Sequence, residues 1–185
     1  DSPRVTMTAL PGLATVPEES EPTSFSPYGF RAPAGDPGRL VAASNGALRV
    51  QDEGSQLAAL ALSEVDTVRS GERWLDLCAG PGGKTALLAA RVLQAREAGT
   101  PIDLEANEVS STRAGLVRRS LEPIPFEVVV SEEDGRERAG ADAYDRILVD
   151  APCTGLGALR RRPESRWRKS PQDVAPLADL QRELL

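Results

Sequence analysis

WLDLCAGPGGKT, residues 74–85, is the most informative part of this sequence for the fold. It opens with a short apolar run that is typical of a buried strand, and residues 85–98 place apolar side chains at helical spacing. The glycines between them let backbone amides approach a ligand closely, and the helix N-terminus adds a partial positive charge. The segment therefore predicts a strand, a ligand-binding turn and a helix.

The same alternation of strand and helix runs through the rest of the chain. A short strand-like run begins at Ala47 and precedes a helix that starts near Ser55. Three further strands are predicted at 102–108, 126–130 and 144–150, with helices at 111–121, where Ser110 and Ser111 are possible caps, and at 171–185. Short connections between such units predict an α/β fold, in which a parallel sheet carries helices on both faces.

A doubly wound sheet of this kind places its ligand outside the carboxyl ends of the strands. We therefore expect the loops after Cys78, Asn107, Val130 and Asp150 to share one crevice. Such sheets normally contain further strands, so the fold is expected to be truncated after its fourth strand. Residues 1–48 contain seven of the fifteen prolines and no sustained periodicity, which predicts an extended or partly ordered linker, separate from a domain at 49–185.

Composition excludes several kinds of site. The chain has no histidine and two cysteines, so it cannot build a four-ligand Cys/His zinc site or a Ser-His-Asp relay from its own residues, and no metal is predicted. No stretch approaches the ~20 apolar residues of a membrane span, and the cysteine usage resembles that of a cytoplasmic enzyme with reduced thiols.

The formal net charge is −6, yet RRRPESRWRK at 160–169 has six basic residues against one acidic residue, a local patch of +5.

The glycine-rich turn does not have the spacing of either common phosphate-binding loop. A Walker A loop would need glycine where Cys78 stands, and the dinucleotide pattern would need glycine where Thr85 stands. Glu108 at the end of the next strand is placed to accept hydrogen bonds from ribose hydroxyls. These features favour a nucleoside cofactor without phosphates, of which S-adenosylmethionine is the common one; the alternative is that the glycines only make a turn and Glu108 caps the next helix.

Four segments together resemble the RNA 5-methylcytosine methyltransferases of the Fmu/Sun family, which are similar to ribosomal RNA small-subunit methyltransferase B. They are WLDLCAGPGGKT (74–85), ANEVSSTRAGLVRRSL (106–121), EDGRE (133–137) and DRILVDAPCTGLGALRRRPESRW (145–167), and VQDEGSQ at 50–56 matches the stretch before them. The resemblance covers roughly residues 48–185 and implies a Rossmann-like methyltransferase fold that is incomplete at both ends. It also implies that residues 1–48 could be the remnant of an N-terminal RNA-binding domain.

The resemblance assigns expected roles to a set of site residues. It implies that S-adenosylmethionine is held by Cys78, Ala79, Gly80, Pro81, Gly82, Gly83, Lys84, Glu108 and Asp134, with Asp150 between cofactor and base. Position 108 usually carries aspartate in the family and position 80 often carries alanine; we expect glutamate to shift the ribose contact and glycine to be sterically harmless. Cys153, in the Pro-Cys motif, would assist product release, while the attacking cysteine lies in a later Thr-Cys segment that this sequence lacks.

The resemblance makes RNA the expected partner, ribosomal RNA first and transfer RNA second. The basic patch follows the Pro-Cys motif and mixes cations with an aromatic residue, which suits phosphate contacts and base stacking. Its candidate RNA-binding residues are Arg160, Arg161, Arg162, Arg166, Trp167, Arg168 and Lys169. Two other interpretations stay open: a catalytically inactive or incomplete module that binds RNA, and an amino methyltransferase, against which Asp-Ala-Pro-Cys at 150–153 counts.

Overall fold

The computed structural model describes residues 5–138, 142–158, 167 and 170–185. Its elements in chain order are β1 (Thr6–Ala9), β2 (Glu21–Pro22), β3 (Gly29–Arg31), α1 (Pro37–Ala43), β4 (Leu48–Val50), α2 (Glu53–Glu64), β5 (Arg73–Asp76), α3 (Gly83–Glu97), β6 (Asp103–Asn107), α4 (Ser111–Ser120), β7 (Val129–Ser131), β8 (Arg146–Leu148) and α5 (Val174–Leu184), with 3-10 turns at Leu156–Ala158 and Pro171–Asp173. No helix among these residues is long and apolar enough to cross a membrane.

The predicted parallel sheet is confirmed. Its four strands lie in the order β7-β6-β5-β8, and each neighbouring pair is parallel. Trp74 of β5 is opposite Leu104 of β6 on one side and Arg146 of β8 on the other. Chain order therefore reverses at β5, so the loops after β5 and β8 border a switch point, where ligands bind in open sheets of this type.

Helix α3 fills the space between the sheet and α2. Its residues Ala86 to Ala90 are all inaccessible to solvent, and they pack with Leu60 of α2 and Trp74 of β5 in the main core. Apolar burial on several faces of α3 explains why its sequence is rich in alanine and leucine and why the helix is held firmly against the sheet. The first turn of α3 is thereby fixed at the carboxyl end of β5.

The prediction that residues 1–48 form an extended or partly ordered linker is wrong for the part of that segment that the structure describes. Residues 6–50 supply a second, antiparallel sheet with the strand order β2-β3-β1-β4. Met7, Phe30 and Leu48 form its core, and the buried Gln56 of α2 donates to the carbonyls of Met7 and Gln51. Strands of two to four residues are too short to show an alternating pattern, and Pro22 is tolerated because β2 is at an edge.

Element boundaries differ from the sequence-based ones by a few residues. The apolar run 126–130 yields only the short edge strand β7, and the closing helix begins with a 3-10 turn at Pro171 before α5. Ser110 has the extended backbone of an N-cap, but its side chain makes no capping bond. Its amide instead donates to Glu108, which ties the helix start to the end of β6.

Candidate active site

The loops after the four parallel strands meet in one cavity of about 770 Å³, here called the central crevice. It is lined by Leu77, Cys78, Gly80, Pro81, Asn107, Glu108, Val109, Arg113, Leu116, Asp134, Gly135, Arg136, Asp150, Ala151, Pro152, Cys153, Leu180 and Leu184. The expectation that these four loops share a crevice is therefore confirmed. Parallel strands end at one edge of their sheet, which is why segments far apart in sequence meet there.

The glycine-rich turn packs tightly against α4. Gly82 has a φ of 105°, and a Cβ added to it would lie 2.7 Å from the side chain of Ser120 and 2.8 Å from the Val117 backbone. Ala79 is buried against Val117, and its amide donates to the Asn107 carbonyl. Glycine at position 82 is thus required both by the left-handed backbone and by the close approach of α4.

Glu108 stands at the junction of the turn, β6 and α4. Its side chain is only 4% exposed, and its two carboxylate oxygens accept from the amides of Gly80 and Ser110 at 3.1 and 3.0 Å. Arg113 approaches the same carboxylate at 3.4 Å and donates to the Gly80 carbonyl. The charge of Glu108 is therefore compensated inside the protein, and the carboxylate is held beside the central crevice.

Two groups beneath the turn have altered acidity. Burial raises the pKa of Asp76 to about 6, although its Oδ2 accepts from the Thr85 hydroxyl at 2.7 Å. Its Oδ1 has no hydrogen-bond partner in the part of the chain that the structure describes. Burial, together with the nearby charges of Asp76 and Glu108, raises the pKa of the Cys78 thiol to about 11. Cys78 is therefore a neutral thiol near pH 7 and a weak nucleophile.

Asp150 and Cys153 lie in the segment after β8 and line the central crevice together with Glu108. Lys84 of α3 donates to Asp150 Oδ2 at 2.6 Å, and the Asp150 side chain remains 55% exposed. Cys153 is exposed, and neither it nor the half-buried Cys78 forms a disulfide. Gln181 of α5 donates to the Pro152 carbonyl at 2.8 Å and so helps to fix the Pro-Cys segment.

Asp134 is at the far end of the central crevice, after β7. Arg136 holds it through side-chain and backbone hydrogen bonds, which lower the pKa of Asp134 to about 2. Arg136 also pairs with Glu183 of α5 at 2.8 Å. The Asp134 carboxylate is therefore ionised, and Arg136 donates to both of its oxygens. At Asp150, Lys84 donates to one oxygen only, Oδ2.

The predicted site residues fall into three groups. Cys78, Gly80, Pro81, Glu108, Asp134, Asp150 and Cys153 line the central crevice. Ala79, Gly82, Gly83 and Lys84 lie in the same turn and at the start of α3 but are not among the residues that line the crevice. Trp167 is 86% exposed, and the basic residues Arg160, Arg161, Arg162, Arg166, Arg168 and Lys169 lie outside the described residues, so their predicted role stays a prediction.

Sequence reasoning missed several residues at the site. Arg113 has a visible signal, a basic residue in the first turn of the helix after Glu108, but only the fold brings its side chain to the carboxylate. Leu180 and Leu184 of α5 reach the central crevice from a helix that the sequence shows only as amphipathic. Asp76 was inconspicuous because a lone acidic residue inside an apolar run does not show where its side chain points.

Comparison with known families identifies this arrangement. The family model described as 16S rRNA methyltransferase RsmB/F matches residues 63–185. The chain belongs to the RsmB/F methyltransferase family. The matched region begins near the end of α2 and includes every residue of the central crevice. The resemblance noted in the sequence is thus confirmed.

Relatives of the RsmB/F chain are longer than it is. Rv1407 of Mycobacterium tuberculosis (strain ATCC 25618 / H37Rv), a protein named as an unconfirmed methyltransferase, is 49% identical over 190 residues that cover 100% of this chain and 40% of the relative. Ribosomal RNA small subunit methyltransferase B of Erwinia tasmaniensis is 36% identical over 151 residues, covering 80% of this chain and 33% of that protein. The chain thus spans at most about 40% of the length of these relatives.

Solved structures share the fold. PH0851 superposes with a TM-score of 0.81 at 26% identity, covering 97% of this chain and 42% of PH0851. NSun6 from Pyrococcus horikoshii with SFG gives a TM-score of 0.63 at 25% identity, covering 84% of this chain and 37% of NSun6. The parallel sheet with its flanking helices is therefore the Rossmann-like fold of S-adenosylmethionine-dependent methyltransferases.

Proposed function

We propose that the central crevice binds S-adenosylmethionine and that the protein methylates C5 of cytosine in RNA, with ribosomal RNA as the first candidate and transfer RNA as the second. One observation carries the proposal. The glycine-rich turn, Glu108 and the Asp150-Ala-Pro-Cys153 segment all border a single crevice. A cofactor and a base could therefore meet between them, in the cytoplasm where such RNAs are found.

The residues present fit the nucleoside cofactor. A volume of about 770 Å³ is within the range of small-molecule sites, and the lining combines apolar side chains with a few fixed polar groups. Glu108 suits a ribose because each carboxylate oxygen has lone pairs beyond those that the two amides use. Val109, 65% exposed beside it, offers an apolar surface to an adenine ring. The structure of NSun6 with SFG, an analogue of S-adenosylmethionine, supports this assignment.

Bound S-adenosylmethionine would supply an electrophilic methyl group. Cytosine C5 is a poor nucleophile until a thiolate adds at C6, after which C5 could form a bond to the methyl carbon while the bond from that carbon to the sulfonium sulfur breaks and the thioether leaves. Loss of the C5 proton then expels the thiol and restores the ring. Asp150 is suited to hold the N3/N4 edge of the base, because one of its oxygens is free of Lys84. Lys84 would keep that carboxylate oriented.

The two cysteines of this sequence differ in the reaction steps that they can perform. Cys153 is exposed in the central crevice and suits the release of product. Cys78 is unsuited to attack the base, since its pKa is raised to about 11. We therefore expect the 185-residue chain by itself to bind cofactor without completing methyl transfer, and the attack to need a cysteine that this sequence does not contain.

Two measurements test the proposal. The 185-residue chain should bind S-adenosylmethionine but leave RNA unmethylated. A form extended to the length of its relatives should convert cytidine to 5-methylcytidine in small-subunit ribosomal RNA, as read by mass spectrometry of the digested nucleosides. Methyl groups on a base nitrogen or on protein would support an amino methyltransferase instead. RNA binding without any methylated product in the extended form would support the inactive module.

A further inference from the structure

We propose that Gly80 and Glu108 are a matched pair, in which the absent side chain at position 80 makes room for the longer carboxylate at position 108. Together they set where the ribose-facing carboxylate stands, so Gly80 is a positioning residue for the nucleoside end of the ligand. The inference rests on the proposed function for the identity of that ligand. The pairing itself rests on geometry alone.

Gly80 packs closely against the side chains of Glu108 and Arg113. A Cβ added there would overlap Glu108 Oε2 and would lie 2.8 Å from Arg113 Nε, closer than real contacts allow. The arginine could swing away because its side chain is half exposed. Glu108 could not do so easily, since its side chain is 4% exposed and both of its oxygens are bound by backbone amides. Alanine at position 80 would therefore displace the carboxylate.

Gly80 also binds both Glu108 and Arg113 through its backbone. The Gly80 amide donates to the same Oε2 atom that a Cβ would displace, and the Gly80 carbonyl accepts from Arg113. Moving the carboxylate would break its hydrogen bond from the Gly80 amide and would also separate the carboxylate from Arg113. Glycine at position 80 is thus not merely harmless, as expected from the sequence, but a condition for the observed position of glutamate.

The converse follows from side-chain length. Aspartate at position 108 would be shorter by one methylene, a retraction of about 1.5 Å along the side chain. It could not reach the amides of Gly80 and Ser110 together, but it would vacate the space that a Cβ at position 80 needs. The pair therefore predicts opposite effects of Glu108→Asp in two backgrounds: harmful with glycine at position 80 and beneficial with alanine.

A double-mutant cycle tests the pair in the purified protein. The variants are Gly80→Ala, Glu108→Asp and their combination, and the readouts are melting temperature without ligand and affinity for S-adenosylhomocysteine by calorimetric titration. We expect each single change to weaken ligand binding by about tenfold, the equivalent of one charged hydrogen bond. The combination should bind more tightly than Gly80→Ala alone. If Gly80→Ala does not fold, a folded double variant would show equally well that Glu108→Asp is beneficial when position 80 is alanine.

A third readout separates positioning from general structural damage. The protein should bind S-adenosylhomocysteine more tightly than its 2′-deoxyribose analogue. Gly80→Ala should reduce the ratio of the two affinities, and the double variant should restore it. Gly115→Ala is the matched control, because a Cβ at Gly115 meets nothing within 4 Å. It should leave ligand affinity unchanged and its effect should be additive with Glu108→Asp.

The outcomes separate the inference from the proposed function. Additive effects of Gly80→Ala and Glu108→Asp in both stability and binding would overturn the pair, even if the ligand binds well. Glu108→Asp could lower the melting temperature with glycine at position 80 and raise it with alanine, in a protein that binds neither S-adenosylmethionine nor S-adenosylhomocysteine. That result would support the steric pair and count against the proposed function. The whole inference is supported if the effect of Glu108→Asp changes sign in both melting temperature and ligand affinity, and if the preference for S-adenosylhomocysteine over its 2′-deoxyribose analogue changes in the same way.

Discussion

Asp76 shows the energetic consequence of placing a carboxyl group at the buried end of a strand. It is inaccessible to solvent at the end of β5, and burial raises its pKa to about 6 against the hydrogen bond from Thr85. Between about pH 4 and pH 6 the folded protein binds a proton at this carboxyl that the unfolded chain has released. The contribution of Asp76 to stability is therefore greatest below its unfolded pKa and disappears as the pH rises through about 6.

The Asp76→Asn variant should isolate this effect. We expect the difference in free energy of unfolding between wild type and variant to change by about 2 kcal/mol between pH 4 and pH 7, in favour of the wild type at low pH. Urea denaturation at several pH values measures it. Thr85→Val should steepen the same dependence, because the missing hydroxyl stabilises the ionised form. A difference that does not vary with pH would show that Asp76 is not the titrating group.

Among the secondary-structure elements, β8 is joined by a buried ion pair to Glu72, the residue just before β5. Arg146 and Glu72 are about nine-tenths or more buried and meet at 2.9 Å, and Trp74 donates to the same carboxylate at 2.8 Å. Arg146 also donates to the carbonyls of Leu62 and Asp66 at the end of α2. The guanidinium thus fastens β8, and with it the segment that carries Asp150, to the rest of the sheet.

Removing one partner of this pair should be more destabilising than removing both. Arg146→Met leaves Glu72 buried without its counter-ion, and we expect a loss of about 3–5 kcal/mol in the free energy of unfolding. The double variant Arg146→Met/Glu72→Met should be less destabilised than Arg146→Met alone. Chemical denaturation of the two variants decides this; equal or greater loss in the double variant would show that the unpaired carboxylate is not the cause.

The sequence predicted the elements around the crevice well because each has a strong local pattern. The apolar run at β5, the helical spacing of α3 and the strand that ends before Glu108 are all recognisable without tertiary information. The N-terminal sheet was missed because its strands are short and because the prolines of the described segment lie in loops, in an edge strand and at the start of α1. The contact of Gly80 with Glu108 was also missed, because side-chain length matters only once two distant loops are brought together.

Over the entire protein, the charge distribution divides into an acidic body and a basic patch. The net charge is −6, yet residues 160–169 contribute +5. Electrostatic attraction to phosphates is local at ordinary salt, since charges are screened over about 8 Å. An acidic protein can therefore bind RNA if the patch lies next to the bound strand, and its position in sequence soon after Cys153 favours this arrangement.

Charge reversal tests the patch. The double variant Arg161→Glu/Arg166→Glu should weaken RNA binding and flatten the dependence of affinity on salt, by a slope of about 0.7 for each single-strand phosphate that the variant no longer neutralises. Filter binding across a salt series measures both. The control is Arg69→Glu, an exposed position before β5, at the opposite end of the strands from the crevice. An equal loss of RNA affinity in the patch variant and the control variant would contradict the proposed role of residues 160–169 in RNA binding.

The assignment of the central crevice as a cofactor site can be tested by titrating the protein with S-adenosylmethionine in a calorimeter. Gly82→Val should abolish binding, because Gly82 has a left-handed backbone and lies against α4. Gly71→Val is the matched control: Gly71 has a similar φ of 84°, but nothing lies within 4 Å of its added Cβ. We predict saturable binding to wild type and to the control, and none to Gly82→Val. Equal binding by all three proteins, or no binding by the wild type, would refute the assignment.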